Sequence, residues 1–288
     1  MNILNPYVSV AGGWFKGNTH LHPLESGESL QDALNHYWYD GYDFLAASDH
    51  NAVTDVSQFV PPGKLAIPGE ECSRHVVGVG LKQTIPRQES DTRQENIDRI
   101  NDQGGLAIVA HPEWSGMTRQ ELAQLRGMIG IEVFNGLCSI SGRGFSTNHW
   151  DYLMTAHQRP YWGFASDDAH KVLRCLGMGW IMVRAPQLSR EGVLGAIRAG
   201  NFYATQGPRF EHIRLEGRDL IVHTSSVVLV QFRGRNFGIL AQEDGAHVKQ
   251  ARYTITGEEL YVRAEIRDGA GRHAWTNPLW VGEVHQAK

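Results

Sequence analysis

The 288-residue chain is poor in cysteine and has no long apolar run. Cys72, Cys138 and Cys175 form no CxxC pair and are too few for a disulfide framework, so we expect reduced thiols and a cytoplasmic protein. No stretch approaches the roughly 18 apolar residues that a membrane span requires. The first 13 residues contain neither a basic segment nor a continuous apolar segment, which argues against a secretory signal peptide. We therefore expect no membrane partner.

The chain also lacks a strong charge of either sign. Its net charge is -4 with neutral histidines, and no long basic run occurs. A standing nucleic-acid partner is therefore not expected. The length and the 41% hydrophobic content are sufficient for one barrel-sized domain with a small appendage. The sequence leaves the oligomeric state open.

Short apolar runs alternate with helix-like segments up to about residue 200, which predicts β/α units around a mostly parallel sheet. The predicted strands are Trp14–Thr19, Phe44–Ser48, Leu65–Pro68, Val76–Leu81, Leu106–Ala110, Ile129–Phe134, Tyr161–Ala165 and Trp180–Val183. The predicted helices are Leu30–Tyr39, Gln94–Gln103, Arg119–Arg126, Asn148–His157 and Arg190–Ala199. Residues that cap helices, such as Ser29 and Thr118, precede two of them.

The pattern changes after Gly207-Pro208. Short strand-like runs separated by turn dipeptides such as Glu216-Gly217 and Asp268-Gly269 follow, without helical periodicity. We predict two domains: a β/α domain at residues 1–208 and a small all-β domain at residues 209–288.

Polar side chains follow the predicted strands at their carboxyl ends, where a β/α barrel builds its active site. His20 and His22 follow the first strand. The later positions are Asp49 and His50, Glu70 and Glu71, His111, and Asp167, Asp168 and His170. Imidazole nitrogens and carboxylate oxygens together suit Zn, Mn or Fe, and a carboxylate can bridge two ions.

The spacing of the first pair adds to this interpretation. In extended backbone, a His-x-His pair sends both side chains to the same side, so both can reach one ion. Each motif alone is weak, because a single histidine at a strand end is more often a hydrogen-bonded structural residue. Five such positions in consecutive units favour a metal cluster, since buried charges cost several kcal/mol each unless they are paired or ligated.

The ordered series resembles the polymerase-and-histidinol-phosphatase (PHP) family. The motifs are Gly-Asn-Thr-His20-Leu-His22, Ser-Asp49-His50-Asn, Pro-Gly-Glu-Glu71 followed by His75, Ala-His111-Pro, and Asp168-Ala-His170. They cover roughly residues 14–208 in the family's order. The stretch Trp-Phe-Lys-Gly-Asn-Thr-His-Leu-His and the later Ala274-Trp-Thr-Asn-Pro-Leu are similar to a bacterial branch with a C-terminal β extension.

The resemblance implies an α/β fold built as a distorted barrel, often with seven strands, and two or three divalent metal ions. It implies that His20, His22 and Asp168 hold the first ion. Glu71 would bridge to a second ion, with Glu70 as the alternative if the register differs by one residue.

The remaining ligands also follow from the resemblance. His75 and His111 would hold the second ion, and His50 and His170 match ligands of a third. Asp49 would either ligate or orient a ligand. The acid that usually follows the second histidine is missing after His22, so Glu25 or Glu28 replaces it or the third site is weak or empty. Two ions are the safer expectation.

The implied activity is hydrolysis of a small phosphate mono- or diester by a hydroxide held between two ions. Catalytic roles are expected for Asp49, His50 and Glu71, with Asp49 or His50 protonating the leaving group. The predicted contacts to the substrate phosphate are Arg143, Lys171 and Arg174. Glu113 and Trp114 are expected to line the mouth of the site.

Two alternatives remain at this stage. The same metal centre could attack the carbonyl carbon of a carbamate, an amide or a carboxylic ester. The chain could instead be a non-catalytic module that binds a metal ion or another ligand, an alternative that the missing acid after His22 supports.

Overall fold

The computed structural model describes residues 2–7 and 12–284 and shows a mixed α/β protein. Its strands are β1 (Ile3–Leu4), β2 (Gly13–Asn18), β3 (Phe44–Leu45), β4 (Leu65–Ala66), β5 (Gly69–Cys72), β6 (Val76–Val79), β7 (Leu106–Val109), β8 (Gly130–Asn135), β9 (Trp162–Ser166), β10 (Trp180–Ala185), β11 (Phe202–Thr205), β12 (Phe210–Glu216), β13 (Asp219–Arg233), β14 (Ile239–Thr254), β15 (Tyr261–Arg267), β16 (His273–Thr276) and β17 (Leu279–Val281). Its α-helices are α1 (Leu30–Tyr39), α2 (Arg93–Asp102), α3 (Arg119–Leu122), α4 (Gly136–Ser139), α5 (Thr147–His157), α6 (Val172–Cys175) and α7 (Arg190–Ala199).

The strands form two sheets. The larger follows the order β1-β17-β15-β16-β11-β10-β2-β3-β4, with β12, β13 and β14 attached through β15, and the smaller follows β5-β6-β7-β8-β9. The predicted parallel pairing is confirmed for β2-β3-β4 and for β7-β8-β9. It is wrong for β10, which lies antiparallel to β2 and β11, and for β5, β6 and β7, which pair antiparallel. A short turn joins β5 to β6, and a parallel pair would need a longer crossover there.

The hydrogen bonds among the described residues do not close these sheets into a barrel. Single parallel bridges, Leu21 to Ala169 and His50 to Glu71, connect the sheets instead. The first bridge lies past the ends of β2 and β9, and the second joins the segment after β3 to β5. The prediction of an α/β fold is thus confirmed, and the two sheets meet at the candidate site. The predicted seven-stranded barrel is not confirmed among the described residues.

Every residue of the five strands in the smaller sheet is buried. Strands that are buried on both faces are usually continuous apolar runs. Glu70, Glu71 and Glu132 are the acids within these strands. A buried carboxylate requires compensation by hydrogen bonds or by opposite charge, so each of these residues needs a specific partner.

The helices begin where the sequence supplies capping side chains. The Ser29 side chain accepts a hydrogen bond from the backbone N–H of Asp32, and Thr92 and Thr118 each form a reciprocal capping box with the glutamate three residues later. These bonds satisfy backbone donors that the first helical turn leaves free. The predicted bounds hold for α1, whereas α3 ends at Leu122, earlier than the pattern indicates.

The strands after residue 208 continue the larger sheet, because β16 pairs with β11 as well as with β15. A buried ion pair between Arg263 of β15 and Asp151 of α5, with an N–O distance of 2.9 Å, ties these strands to the helical layer. The division into residues 1–208 and 209–288 stays a prediction. Within the described ranges, no helix has the length and apolar character needed to cross a bilayer.

Candidate metal centre

The first two histidines form the buried floor of the site. Strand β2 ends at Asn18, whose side-chain oxygen accepts the backbone N–H of His20 at 3.1 Å. The two Nε2 atoms of His20 and His22 then lie 3.0 Å apart, and both side chains are fully buried. Each of these nitrogens is also within 3.4 Å of a carboxylate oxygen of Glu71 and of Asp168.

Glu71 lies between two groups of imidazoles. Its Oε2 is 3.0 Å from Nε2 of His50 and also faces His20 and His22. Its Oε1 is 3.3 Å from Nδ1 of His75 and 3.5 Å from Nε2 of His111. One carboxylate therefore presents a separate oxygen to each group, which is the geometry of a bridging ligand.

The structure distinguishes Glu71 from its neighbour. The sequence pattern places both residues after the preceding strand, but in the structure both lie within β5. Successive side chains of a strand point to opposite faces. Glu70 accordingly points away from the cluster, and its Oε2 accepts the backbone N–H of Ile85 at 2.9 Å.

The last motif returns to the floor of the site. Backbone hydrogen bonds from Asp168 to His20 and from His22 to Ala169 hold this segment against the end of β2. Oδ2 of Asp168 accepts from Asn135 at 3.1 Å and lies 3.7 Å from Nε2 of His111. The structure thus brings together His20, His22, Glu71, His111 and Asp168, which come from four separate chain segments.

The donor set fits a cation. Buried atoms without a hydrogen-bond partner among the described residues include Nδ1 of His22, Nδ1 of His111 and Oδ1 of Asp168. The two facing Nε2 atoms and their carboxylate neighbours offer more lone pairs than protons. These atoms form two groups of possible ligands, and within each group the ligand atoms lie within 4.8 Å of one another. One group is His20, His22 and Asp168, and the other is His20, Glu71 and His111. Such a set suits Zn, Mn or Fe.

Three candidate ligands have a left-handed backbone. The φ angles are +63° at His75, +29° at His111 and +52° at Asp168. A non-glycine residue in a sparsely populated conformation costs on the order of 1–3 kcal/mol and persists where surrounding structure fixes it, often at functional sites. This strain supports a functional role independently of the side-chain distances.

A second, more exposed group surrounds His50 at the rim. Nδ1 of His50 lies 2.5 Å from Oε1 of Glu25, and Nε2 of His170 lies 3.4 Å from Oε2 of the same carboxylate. Together with His22 they form a third group of possible ligands. Of the two acids that could replace the one missing after His22, Glu25 lies in this group, whereas Glu28 pairs with His36.

Asp49 is not part of these three groups. Its Oδ1 accepts the backbone N–H of Leu24, and its Oδ2 accepts the hydroxyl of Thr54. Asp49 therefore ties the segment after His22 to its own loop, and both of its oxygens are engaged. The geometry agrees with the orienting alternative for Asp49, and ligation of an ion by Asp49 stays a prediction.

The electrostatics of the cluster follow from its burial and its mixed charges. Burial opposes the charged form of His20, but Asp168, Glu132 and Glu71 outweigh it and hold the pKa of His20 well above its usual value. Burial lowers the pKa of His22 to about 4. Burial also opposes ionisation of Glu71, yet His20 and further imidazoles hold its pKa well below the usual value. The carboxylate is thus anionic, as a metal ligand must be.

Glu132 is the functional candidate that the sequence analysis missed. Its side chain is 1% exposed and hydrogen-bonds to Nδ1 of His20 at 2.8 Å. The available signal was a lone acid within the otherwise apolar strand Gly-Ile-Glu-Val-Phe-Asn. The pattern of polar residues at strand ends does not include it, because it lies in the middle of β8.

A cavity of about 320 Å³ opens above the cluster. The candidate ligands His50, Glu71, His75, His111, Asp168 and His170 form one side of it. The rest of its lining is Trp114, Leu137, Cys138, Ile140, Ser141 and Arg174.

The predicted substrate contacts separate in the structure. Arg174 lines the cavity, whereas Lys171 and Arg143 are not among its described lining residues, and Arg143 lies in a neighbouring groove with Glu113. The Trp114 ring stands edge-on to His111, with centroids 5.1 Å apart. Of the two residues expected at the mouth, Trp114 is there.

The fold has a counterpart among solved structures. It is similar to the crystal structure of a two-domain protein from Bacteroides vulgatus that contains a predicted PHP-like metal-dependent phosphoesterase. The TM-score is 0.54 at 14% sequence identity, and the match covers 92% of this chain and 91% of that chain. The fold is PHP-like. No protein-family model matches the chain, and no curated protein sequence matches it.

Proposed function

We propose that this chain is a metal-dependent phosphoesterase that hydrolyses a small phosphate mono- or diester. The observation that carries the proposal is the bridging position of Glu71, with one oxygen facing His20, His22 and His50 and the other facing His75 and His111. The PHP-like fold agrees with it.

Two ion positions account for the buried donors. His20, His22 and Asp168 would hold one ion, and His75 and His111 the other, with Glu71 shared between them. When bound, two divalent ions supply Lewis-acid charge for the phosphoryl group and lower the pKa of a coordinated water. The chain's own contribution is to fix these donors before substrate arrives, so that no reorganisation is needed during the reaction.

Proton donation to the leaving group falls to His50 in this proposal. His50 lines the cavity, whereas Asp49 is not among its described lining residues. A third ion held by Glu25, His50 and His170 would exclude this role, because the His50 nitrogen would then be a ligand. Metal analysis of the purified protein decides between these assignments: two ions per chain fit His50 as the donor, and three make it a ligand.

The cavity residues that are not candidate ligands restrict the substrate. Apart from histidines, Arg174 is the only cationic side chain among the described lining residues, while Trp114 and Ile140 are apolar and 44% and 46% exposed. One guanidinium matches one phosphoryl group, and the apolar wall favours a leaving group without further charge. This also supports a second candidate function, hydrolysis of a carbamate or carboxylic ester with a neutral leaving group.

A substrate panel with a common leaving group separates the two functions. We would assay 4-nitrophenyl phosphate, bis(4-nitrophenyl) phosphate, a 4-nitrophenyl carbamate and 4-nitrophenyl acetate, so that only the reacting centre changes. We expect metal-dependent turnover of at least one phosphate ester. Turnover of the carbamate or acetate alone would overturn the phosphoesterase proposal in favour of the second candidate.

The matched pair Glu71→Gln and Glu70→Gln tests the bridging assignment. Several kcal/mol of transition-state stabilisation depend on the ions, and each 1.36 kcal/mol is tenfold in rate, so Glu71→Gln should lower kcat/KM by about 100-fold or more. Glu70→Gln makes the same chemical change at the adjacent buried carboxylate and should retain activity. Equal losses in both variants, or less than one bound ion per wild-type chain, would contradict a catalytic metal centre.

A further inference from the structure

Glu132 hydrogen-bonds to four groups from four parts of the chain. Its Oε1 accepts from Nδ1 of His20 at 2.8 Å and from the Ser166 hydroxyl. Its Oε2 accepts the backbone N–H of His111 and the side-chain amide of Asn135, both at 2.9 Å. The residue is 1% exposed, so these bonds replace its hydration entirely.

The contact to His20 determines where that ring can bind an ion. A neutral imidazole has one protonated and one unprotonated nitrogen, and the hydrogen bond at one nitrogen fixes the role of the other. When the His20 ring is neutral, as a metal ligand must be, the bond from Nδ1 to Glu132 leaves the lone pair on Nε2. That nitrogen faces His22, Glu71 and Asp168.

We propose that Glu132 is a positioning residue that holds His20 in the tautomer whose Nε2 can accept a metal ion. The inference rests on the metal-dependent function proposed above. The same carboxylate fixes the strained backbone of His111 and, through Asn135, contacts Asp168. It therefore supports three of the candidate ligands without touching substrate or ions.

The substitution Glu132→Gln removes an acceptor and introduces a donor at a position surrounded by donors. If the new NH2 group of the glutamine took the position of Oε2, it would face the backbone N–H of His111, which is a donor and cannot become an acceptor. The less costly orientation places the amide toward His20 and Ser166. The hydroxyl can rotate, but Nδ1 of His20 can accept only after its proton moves to Nε2, the nitrogen aimed at the ion.

The first test is zinc affinity measured by chelator competition, without substrate. Removal of such a supporting carboxylate typically weakens metal binding by about 10- to 100-fold, and we expect Glu132→Gln to fall in this range. The control is Glu70→Gln, the same change at a carboxylate that is equally buried and touches no candidate ligand. Wild-type zinc affinity in Glu132→Gln, or an equal loss in Glu70→Gln, would overturn the inference.

The second test needs no variant and applies even if Glu132→Gln does not fold. Long-range nitrogen–proton NMR correlations of the ¹⁵N-histidine-labelled, zinc-loaded wild-type protein report which ring nitrogen of His20 carries the proton. We expect a proton on Nδ1 and none on Nε2, and the reverse pattern would overturn the inference. A wild-type protein that binds no zinc would overturn the proposed function as well, whereas tight binding with the wrong tautomer would overturn this inference alone.

Discussion

The Trp114 ring lines the cavity beside the candidate ligands and is 44% exposed. It stands edge-on to both His75 and His111, with interplanar angles of 89° and 85°. These contacts fix the ring, so its exposed part offers a flat apolar surface beside the ligands. Aromatic contacts of this kind contribute about 0.5–1.5 kcal/mol beyond area burial.

We predict that Trp114→Ala raises KM for an aromatic ester more than for an aliphatic one. The energy of one ring contact corresponds to roughly a 2- to 10-fold increase in KM for 4-nitrophenyl phosphate. We expect little change in KM for ethyl phosphate. Steady-state kinetics on both substrates provide the measurement. Phe145→Ala is the control, because Phe145 is 45% exposed but is not part of the described cavity lining. A uniform effect on both substrates would show that Trp114 only packs against the histidines.

At the residue scale, the sequence was a good predictor of which residues lie together in the site. It was a poorer predictor of the role of each residue. His20, His22, His111 and Asp168 could be selected because strand ends converge in a β/α fold. Glu71 lies within β5, and its choice over Glu70 depended on the family resemblance. The orienting contacts of Asp49 and the position of Glu132 could not be selected, since both depend on which groups lie across the site. The sequence offers both Glu25 and Glu28 as replacements for the missing acid. Only the fold of the segment after His22 shows that Glu25 contacts His50 while Glu28 contacts His36.

Strand β15 carries a charged network that makes stability depend on pH. Burial opposes the ionisation of Glu265, but its hydrogen bond with His273 and the charges of Arg263 and Arg233 outweigh this and lower its pKa to about 2. The distances are 3.0 Å to His273, 3.2 Å to Arg263 and 3.1 Å to Arg233. In the unfolded chain the pKa returns to its ordinary value of 4.5.

The sign of the effect follows from this lowered pKa. The network stabilises the fold fully above about pH 4.5, and this contribution is lost as the pH falls towards 2, because the unfolded chain binds the proton more tightly. We predict that Glu265→Gln is less stable than wild type at neutral pH and has a shallower fall in stability between pH 5 and pH 3. Urea unfolding across this range is the measurement, and parallel curves for both proteins would contradict the prediction.

At the scale of elements, the sequence could predict helices more fully than strands. Capping residues and the 3.6-residue period determine the starts of α1 and α2 locally. Strand β5 was missed because its four residues, Gly-Glu-Glu-Cys, include two acids that only the surrounding fold can neutralise. The antiparallel pairing of β10 is likewise not encoded within the strand, because it depends on the strands that lie on either side.

At the scale of the whole molecule, the ion pair of Asp151 and Arg263 joins the helical layer to the later strands. Arg263 is 1% exposed, and its guanidinium contacts both oxygens of Asp151, while the Tyr261 hydroxyl donates to the same carboxylate. Removing one partner of a buried pair leaves an uncompensated charge. The stability of the two regions should therefore be linked through this contact.

We predict that Asp151→Ala lowers the free energy of unfolding by about 3–5 kcal/mol. Glu216→Gln serves as the control, because its pair with Arg214 is more than half exposed, and such pairs contribute at most about 1 kcal/mol. Chemical unfolding monitored by tryptophan fluorescence and by circular dichroism would give both values. A small loss for Asp151→Ala would argue that the regions before and after residue 208 are stabilised independently.

Metal binding should stabilise the whole molecule, because its ligands converge only in the folded state. With zinc at 100 times its Kd, the free energy of unfolding should rise by about 2.7 kcal/mol. Thermal unfolding with and without chelator measures this shift. Glu71→Gln should reduce the shift and Glu70→Gln should leave it unchanged, whereas a shift that persists in full without Glu71 would place the ions elsewhere.

The shared carboxylate of Glu71 has a consequence for how the protein fills with metal. The carboxylate already directs one oxygen to each side, and an ion bound on one side would hold it in that orientation for an ion on the other side. We therefore expect cooperative loading, with a sigmoidal metal titration. Under metal limitation, the molecules would divide into empty and fully loaded populations, and total activity would follow the number of loaded chains.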